Sequence, residues 1–270
     1  MSSLFTITPA QGTPQPILLS VPHCGTDFPP EVREQFLTKH IDHPDDTDWF
    51  VQQLYDFAPA MGITMIHAHV SRYVIDLNRD PENKPLYDDG RVITELCPTK
   101  TFFDEPLYHE PPSHEEIERR KAAYYQPYHD EIAKQLRELQ QTHSHVLLWE
   151  AHSIRRLVPT IRKDPFPDMI LGDQEGRTAD KRLIETALTQ LRAGTSQINH
   201  NDPFKGGYIT RSFGQPEKNI HALQLEMTKD HYMDEETTTY LPERAEITRQ
   251  LLQQTLRALC ETLTTLNKSA

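Results

Sequence analysis

The stretch Pro16–Gly25, "PILLSVPHCG", decides the fold. Between Pro16 and Pro22 it is an almost unbroken apolar run with no in/out alternation, which is the pattern of a strand covered on both faces of a sheet. It delivers His23 to its carboxyl end. Runs of the same kind recur as "ITMIHAHV" from Ile63, "YVIDL" from Tyr73, "HVLLWE" from His145, "DMILG" from Asp168 and "ALQLEM" from Ala222. Between them lie helical patterns. Asp45–Gly62 has a carboxylate-rich first turn, with Phe50, Val51, Leu54 and Phe57 at helical spacing and a terminating glycine. Ser113–Gln141, Thr178–Leu191 and Pro242–Leu266 read as longer helices, the last with Ile247, Leu251, Leu252, Leu256, Leu259 and Leu263 on one stripe. Alternating strands and helices predict one α/β domain over residues 1–270, with a largely parallel sheet between two helical layers. Segments 78–112, 155–167 and 199–218 read as long loops, which in such sheets gather where ligands bind.

Forty acidic against 28 basic side chains give a net charge of -12, a field that opposes nucleic acid. No stretch of 18 apolar residues and no signal-like N-terminus occurs, so no membrane partner is expected and a cytoplasmic location is. Cys24, Cys97 and Cys260 lack CxxC spacing, which argues against a disulfide framework or an all-thiolate zinc site. Neighbouring strand residues face opposite ways, so His23 and Cys24 make a poor catalytic pair. No GxSxG element is present for a serine nucleophile.

Several strands end in the same chemistry: His23, Asn78 with Arg79, Glu150 with His152, and Glu226. In a parallel sheet these ends share one rim. Two imidazoles and a carboxylate are a common ligand set for a hydrolytic zinc ion, with Glu150 typed to orient His152 from behind. The competing reading makes the histidines ordinary loop residues, as His67, His69, His143 and His145 are taken to be. It makes Asn78 and Arg79 a turn with a surface charge. Glu226 is harder to explain that way, because a buried carboxylate costs several kcal/mol unless it is paired or metal-bound.

"SVPHCG", "DTDWFVQQLYDFA", "SRYVIDLNRD", "WEAHSI", "DPFKGGYITRSFGQP" and "ALQLEM" together resemble the N-formylglutamate amidohydrolase family, from about Phe5 to Met233. The family is similar in turn to zinc carboxypeptidases. The resemblance implies a phosphorylase/hydrolase-like three-layer α/β/α fold. It also implies a metal-dependent deformylase that cleaves N-formyl-L-glutamate to formate and L-glutamate in histidine degradation. By the same resemblance Asn78 and Arg79 grip the α-carboxylate of the substrate. One departure matters: carboxypeptidases take two ligands from an HxxE unit, and here Thr26 stands three residues after His23. The missing carboxylate then comes from Asp45, Asp46 or Asp48. Asp46 is expected, because it lies four and eight residues before Phe50 and Leu54 on the core-facing stripe of a helix.

The expected site is therefore one divalent ion, zinc by preference, on His23, Asp46 and His152. Glu226 is the expected general base and acid, and Arg72 the stabiliser of the oxyanion or, equally, a structural salt-bridge partner. Arg79, Lys205 and Arg211 are the expected local cations for a substrate with two carboxylates, unless they balance nearby acids. Two other functions stay open: an amidohydrolase or peptidase for another N-acyl amino acid, and a ligand-binding protein without turnover.

Overall fold

The computed structural model describes residues 3–86, 94–194 and 197–269. In chain order the elements are β1 (Phe5–Thr8), β2 (Ile17–Val21), the short helices α1 (Pro30–Arg33), α2 (Thr38–Asp42) and α3 (Val51–Leu54), and β3 (Thr64–Ala68). Next come α4 (His114–Arg120), a π-helical turn at Lys121–Tyr125, and α5 (Gln126–Gln140). After them follow β4 (Val146–Ile154), β5 (Met169–Gly172), α6 (Lys181–Arg192), β6 (Ile198–His200), α7 (Tyr208–Phe213), β7 (Ile220–Thr228), a small hairpin β8–β9 (Met233–Asp234 and Thr239–Tyr240), and α8 (Pro242–Ser269). Among the described residues seven strands form one sheet in the order β1-β3-β2-β4-β7-β5-β6. The central β3, β2, β4 and β7 are mutually parallel. β1 and β5 pair antiparallel to their inner neighbours, and β6 runs with β5, so the sheet is mixed.

The strand interiors explain the layers. Ile17, Leu19, Val21, Leu147, Trp149, Leu223 and Leu225 pack with residues of α6 and α8 on one face. Leu18, Val146, Leu148 and Ala222 pack with Tyr128, Ile132 and Leu136 of α5 on the other. Adjacent strand residues serve opposite layers, which is why the runs are apolar without alternation. Most of the stripe expected on α8 is buried, but Ile247 is 73 % exposed. Among the described residues no helix is long and apolar enough to cross a membrane.

Two expected elements differ. "YVIDL" is not a strand. Its backbone turns, with Val74 N–H donating to Ser71 O, while the Tyr73 and Val74 carbonyls accept from the Tyr108 hydroxyl and the Arg120 guanidinium. Side chains here satisfy polar groups that a neighbouring strand would otherwise take. The helix expected from Asp45 is also shorter: Phe50 sits in the left-handed region (φ 62), and α3 begins only after it. Residues 45–49 therefore form a loop, and the helical spacing used to choose among the aspartates does not apply to it. Of the long segment 78–112, residues 87–93 lie outside the described part.

Two histidines set an acid limit on this fold. His129, stacked on Tyr125 with its Nε2 donating to Leu77 O at 2.8 Å, is pushed down to about 4 by burial. His221 is also pushed down to about 4, by burial first and then by its stacked neighbour His145. Both are neutral in the folded chain and protonate at about 6.5 when unfolded. Their contribution is complete above pH 6.5 and is lost as the pH falls towards 4, because the unfolded state then binds more protons. The denaturant midpoint is expected to decline across that window, and His129→Gln, which keeps a donor for Leu77 O, is expected to flatten part of the decline.

Candidate active site

On β2, β4 and β7 the even-numbered residues face the α5 layer, and their character changes along each strand. Leu18, Leu148 and Ala222 are apolar; Ser20, Glu150 and Gln224 come next and sit side by side in the sheet; His152 and Glu226 are paired one step further on. The parallel register thus turns three sequence patterns into one polar rim. It opens on a cavity of approximately 480 Å³.

At its floor His23, Asp48 and His152 are 4 %, 1 % and 2 % exposed, and one ligand atom from each lies within 4.8 Å of the others. His152 Nδ1 is 3.0 Å from Asp48 Oδ2, and His23 Nδ1 is 3.8 Å from the same oxygen. The outer nitrogens are already committed: His23 Nε2 donates to Asp76 Oδ1 at 2.7 Å and His152 Nε2 to Glu150 Oε1 at 2.8 Å. A carboxylate behind each imidazole fixes the tautomer and turns both Nδ1 atoms inward, the usual support of a metal-bound histidine. Among the described residues His23 Nδ1 and Asp48 Oδ1 are buried with no hydrogen-bond partner, and such orphaned atoms are costly unless something binds there.

The electrostatics agree. Burial opposes charge on His152, yet Glu150 and Asp48 override it and hold the imidazole well above its ordinary value. Asp48 is held below the carboxylate range against burial by His152 and His23. His23 is held below its ordinary value, by burial first and then by Arg72, so a neutral imidazole stands beside an anionic carboxylate, the donor states a cation requires. Two nitrogens and one carboxylate suit a divalent ion such as zinc, with a position left open to the cavity.

Above this floor Glu226 is half-buried at the cavity edge, and burial pushes its carboxyl up to about 8. Asp76, entirely buried, accepts from Arg72 Nη2 at 2.8 Å, Arg79 Nη2 at 3.1 Å and Asn78 N–H at 2.9 Å, besides His23. Asn78 is clamped by α7. Its Oδ1 accepts from Ile209 N–H at 2.8 Å, and a Cβ on Gly207 would fall 2.2 Å from its Nδ2, so only glycine admits this approach.

Comparison with known proteins decides the class of this site. The family model for N-formylglutamate amidohydrolase matches residues 15–233. The chain belongs to the N-formylglutamate amidohydrolase family. It is 41 % identical over 249 residues to the N-formylglutamate deformylases of Pseudomonas aeruginosa and Pseudomonas putida, covering 90 % of this chain and 92 % of each relative. A crystal structure of N-formylglutamate amidohydrolase from Ralstonia eutropha JMP134 superposes with a TM-score of 0.81 at 27 % identity, over 97 % of this chain and 98 % of that one.

In this amidohydrolase the expected residues fall as follows. His23, Arg72, Asn78, Arg79, His152 and Glu226 all line the cavity, as does Asp48. Asp46 does not join the histidines. Its carboxylate turns away to accept from Phe102 N–H at 2.8 Å, and burial pushes it up to about 6. Asp45 faces outward in an ion pair with Arg155. Lys205 and Arg211 are absent from the cavity wall: Lys205 pairs with Glu175 at 2.6 Å on the surface, and Arg211 donates to the Gly206 and Leu86 carbonyls. Among the described residues Lys100, paired with Asp104 at 2.7 Å, also lines the cavity without having been expected. Asp76 was also missed, although a carboxylate inside the apolar "YVIDL" carried the same signal as Glu226. Removing it in Asp76→Ala takes the ion-pair partner from the buried Arg72 and the part-buried Arg79. A destabilisation of about 3–5 kcal/mol in denaturant titration is expected, together with weakened metal retention through His23.

Proposed function

We propose that the chain hydrolyses the formamide bond of N-formyl-L-glutamate to formate and L-glutamate, the formate-releasing step of a histidine degradation route. In this reading one divalent ion, zinc by the character of the ligands, is held by His23, Asp48 and His152. The observation that carries the reading is the meeting, in one cavity, of this cation-binding floor with an adjoining carboxylate of raised pKa. A ligand-binding protein needs no such proton carrier, which favours turnover.

When bound, the ion supplies Lewis-acid polarisation and a water of lowered pKa. Glu226 takes a proton from the attacking water as its oxygen bonds to the formyl carbon. As the C–N bond breaks, Glu226 returns that proton to the departing amine nitrogen. Its pairing with His152 across β4 and β7 supports this role. Burial raises its pKa and a neighbouring cation lowers it, and the balance lies near the range in which one group serves as both base and acid. Arg72, whose pairing with Asp76 fixes its guanidinium at the cavity, faces charge that develops on the formyl oxygen.

For substrate binding the cavity wall offers three cations, Arg72, Arg79 and Lys100, the last paired with Asp104 at 2.7 Å, among the carboxylates of Asp48, Glu95, Asp104 and Glu226. Arg79 spends Nη2 on Asp76 and Thr94, while its Nε is buried with no partner among the described residues. Together with Asn78 it is suited to the α-carboxylate.

Glu226→Gln is expected to lower kcat about 10²- to 10⁴-fold while one metal ion per chain is retained. Loss of the ion with unchanged turnover per bound ion would reassign Glu226 as a ligand. Chelation is expected to abolish formate release, and added zinc to restore it; a chelated enzyme that keeps its rate would remove the ion from the mechanism. Among N-formyl, N-acetyl and dipeptide substrates, formylglutamate is expected to give the highest kcat/KM, and a better N-acetyl substrate would favour the wider amidohydrolase reading.

A further inference from the structure

Residues 99–107 form a narrow hairpin against the cavity. Thr101 N–H donates to Glu105 O at 2.9 Å and Leu107 N–H to Thr99 O at 3.0 Å, and Thr99, Lys100, Thr101, Phe102 and Asp104 all border the cavity. The base of the hairpin is tied to the α2 region, through Leu37 N–H to Leu107 O at 2.9 Å and His40 Nε2 to Pro106 O at 2.9 Å. Its tip is held differently. Both polar backbone groups of Phe102 are taken by side chains from other segments: N–H donates to the Asp46 carboxylate at 2.8 Å, and the carbonyl accepts from the Thr160 hydroxyl. The Phe102 ring lies 4.8 Å from the Arg72 guanidinium carbon, on the cation that faces the reacting centre.

Asp46 is itself fixed. Its N–H donates to the Tyr73 hydroxyl at 3.1 Å, and the loop it belongs to is pinned on either side by Lys229 Nζ to Asp45 O at 3.1 Å and by Asp48 N–H to His23 O at 2.9 Å. One short loop therefore presents Asp48 to the cation-binding floor and Asp46 to the hairpin tip. We infer that Asp46 is a positioning residue that sets the hairpin wall of the substrate cavity, and the Phe102 ring on Arg72, at a fixed height above the Asp48 floor. The inference rests on the proposal that this cavity takes the substrate. It predicts that the wall, and with it substrate binding, loosens when the acceptor is removed, while the ion stays.

The test compares Asp46→Ala, Asp46→Asn and Thr160→Ala in the metal-loaded full chain. Four quantities are measured: amide exchange at Phe102–Asp104, bound metal per chain, and kcat and KM for formylglutamate. In Asp46→Ala, exchange at the tip is expected to rise about tenfold or more, and KM to rise about tenfold. These are the sizes expected for a lost hydrogen bond to a charged acceptor. Metal content is expected to stay at one per chain. Asp46→Asn keeps an acceptor for Phe102 N–H and is expected to recover most of both effects. Thr160→Ala, at an exposed position that leaves folding intact, is expected to shift exchange and KM in the same direction by releasing the other side of the same residue. Loss of metal in Asp46→Ala and Asp46→Asn alike would make Asp46 a ligand and overturn the inference. Unchanged tip exchange in Asp46→Ala and Thr160→Ala would overturn it equally, since the wall would then stand without either contact. Exchange and metal content need no turnover, so failure of formylglutamate as substrate would show separately, in the wild-type chain.

Discussion

The site depends on a charge placed where water cannot reach it. Burial by itself would drive Asp76 towards its neutral form, yet Arg72 and Arg79, with His23 beside them, hold it well below the carboxylate range. A buried anion of this kind is tolerable only when its lone pairs are used, and Asp76 uses them on an imidazole, two guanidinium groups and the Asn78 amide. That single requirement turns His23 Nδ1 inward, places Arg72 and Arg79 on the cavity wall and sets the backbone from which Asn78 reaches α7.

The sheet provides the second constraint. Parallel strands in register bring like positions to one edge, so a change from apolar to polar at the carboxyl end of each strand creates a concentrated polar site without a dedicated domain. Glu150 is the clearest case: fully buried, it supports His152 through one oxygen and accepts from the Thr210 hydroxyl of α7 through the other. Helix α7 is thereby bound to the floor through Glu150, through Asn78, and through Gln224, whose Oε1 accepts from Gly207 N–H at 2.7 Å. Two residues on from Gln224, Glu226 stands on the same strand face and inherits this rigidity.

The loop 45–48 distributes three neighbouring carboxylates to three tasks. Asp45 meets Arg155 near the surface, Asp46 takes the hairpin backbone, and Asp48 meets the histidines. Each is within three residues of the others, so composition and motif cannot separate them. The turn geometry does, because a left-handed Phe50 stops the helix before it reaches them.

The pattern of continuous apolar runs separated by amphipathic helices, read along the chain, was enough to determine an α/β sheet with His23, His152 and Glu226 at strand ends, because burial on two faces leaves a direct trace in residue type. The family motifs were enough to place Asn78 and Arg79 beside them. Only the tertiary structure decided that Asp48 and not Asp46 joins the histidines, that "YVIDL" is a buried turn whose Asp76 neutralises two arginines, and that Lys205 and Arg211 stand away from the cavity. These outcomes depend on where backbone polar groups and charges find partners from distant segments, and sequence spacing holds no record of such meetings.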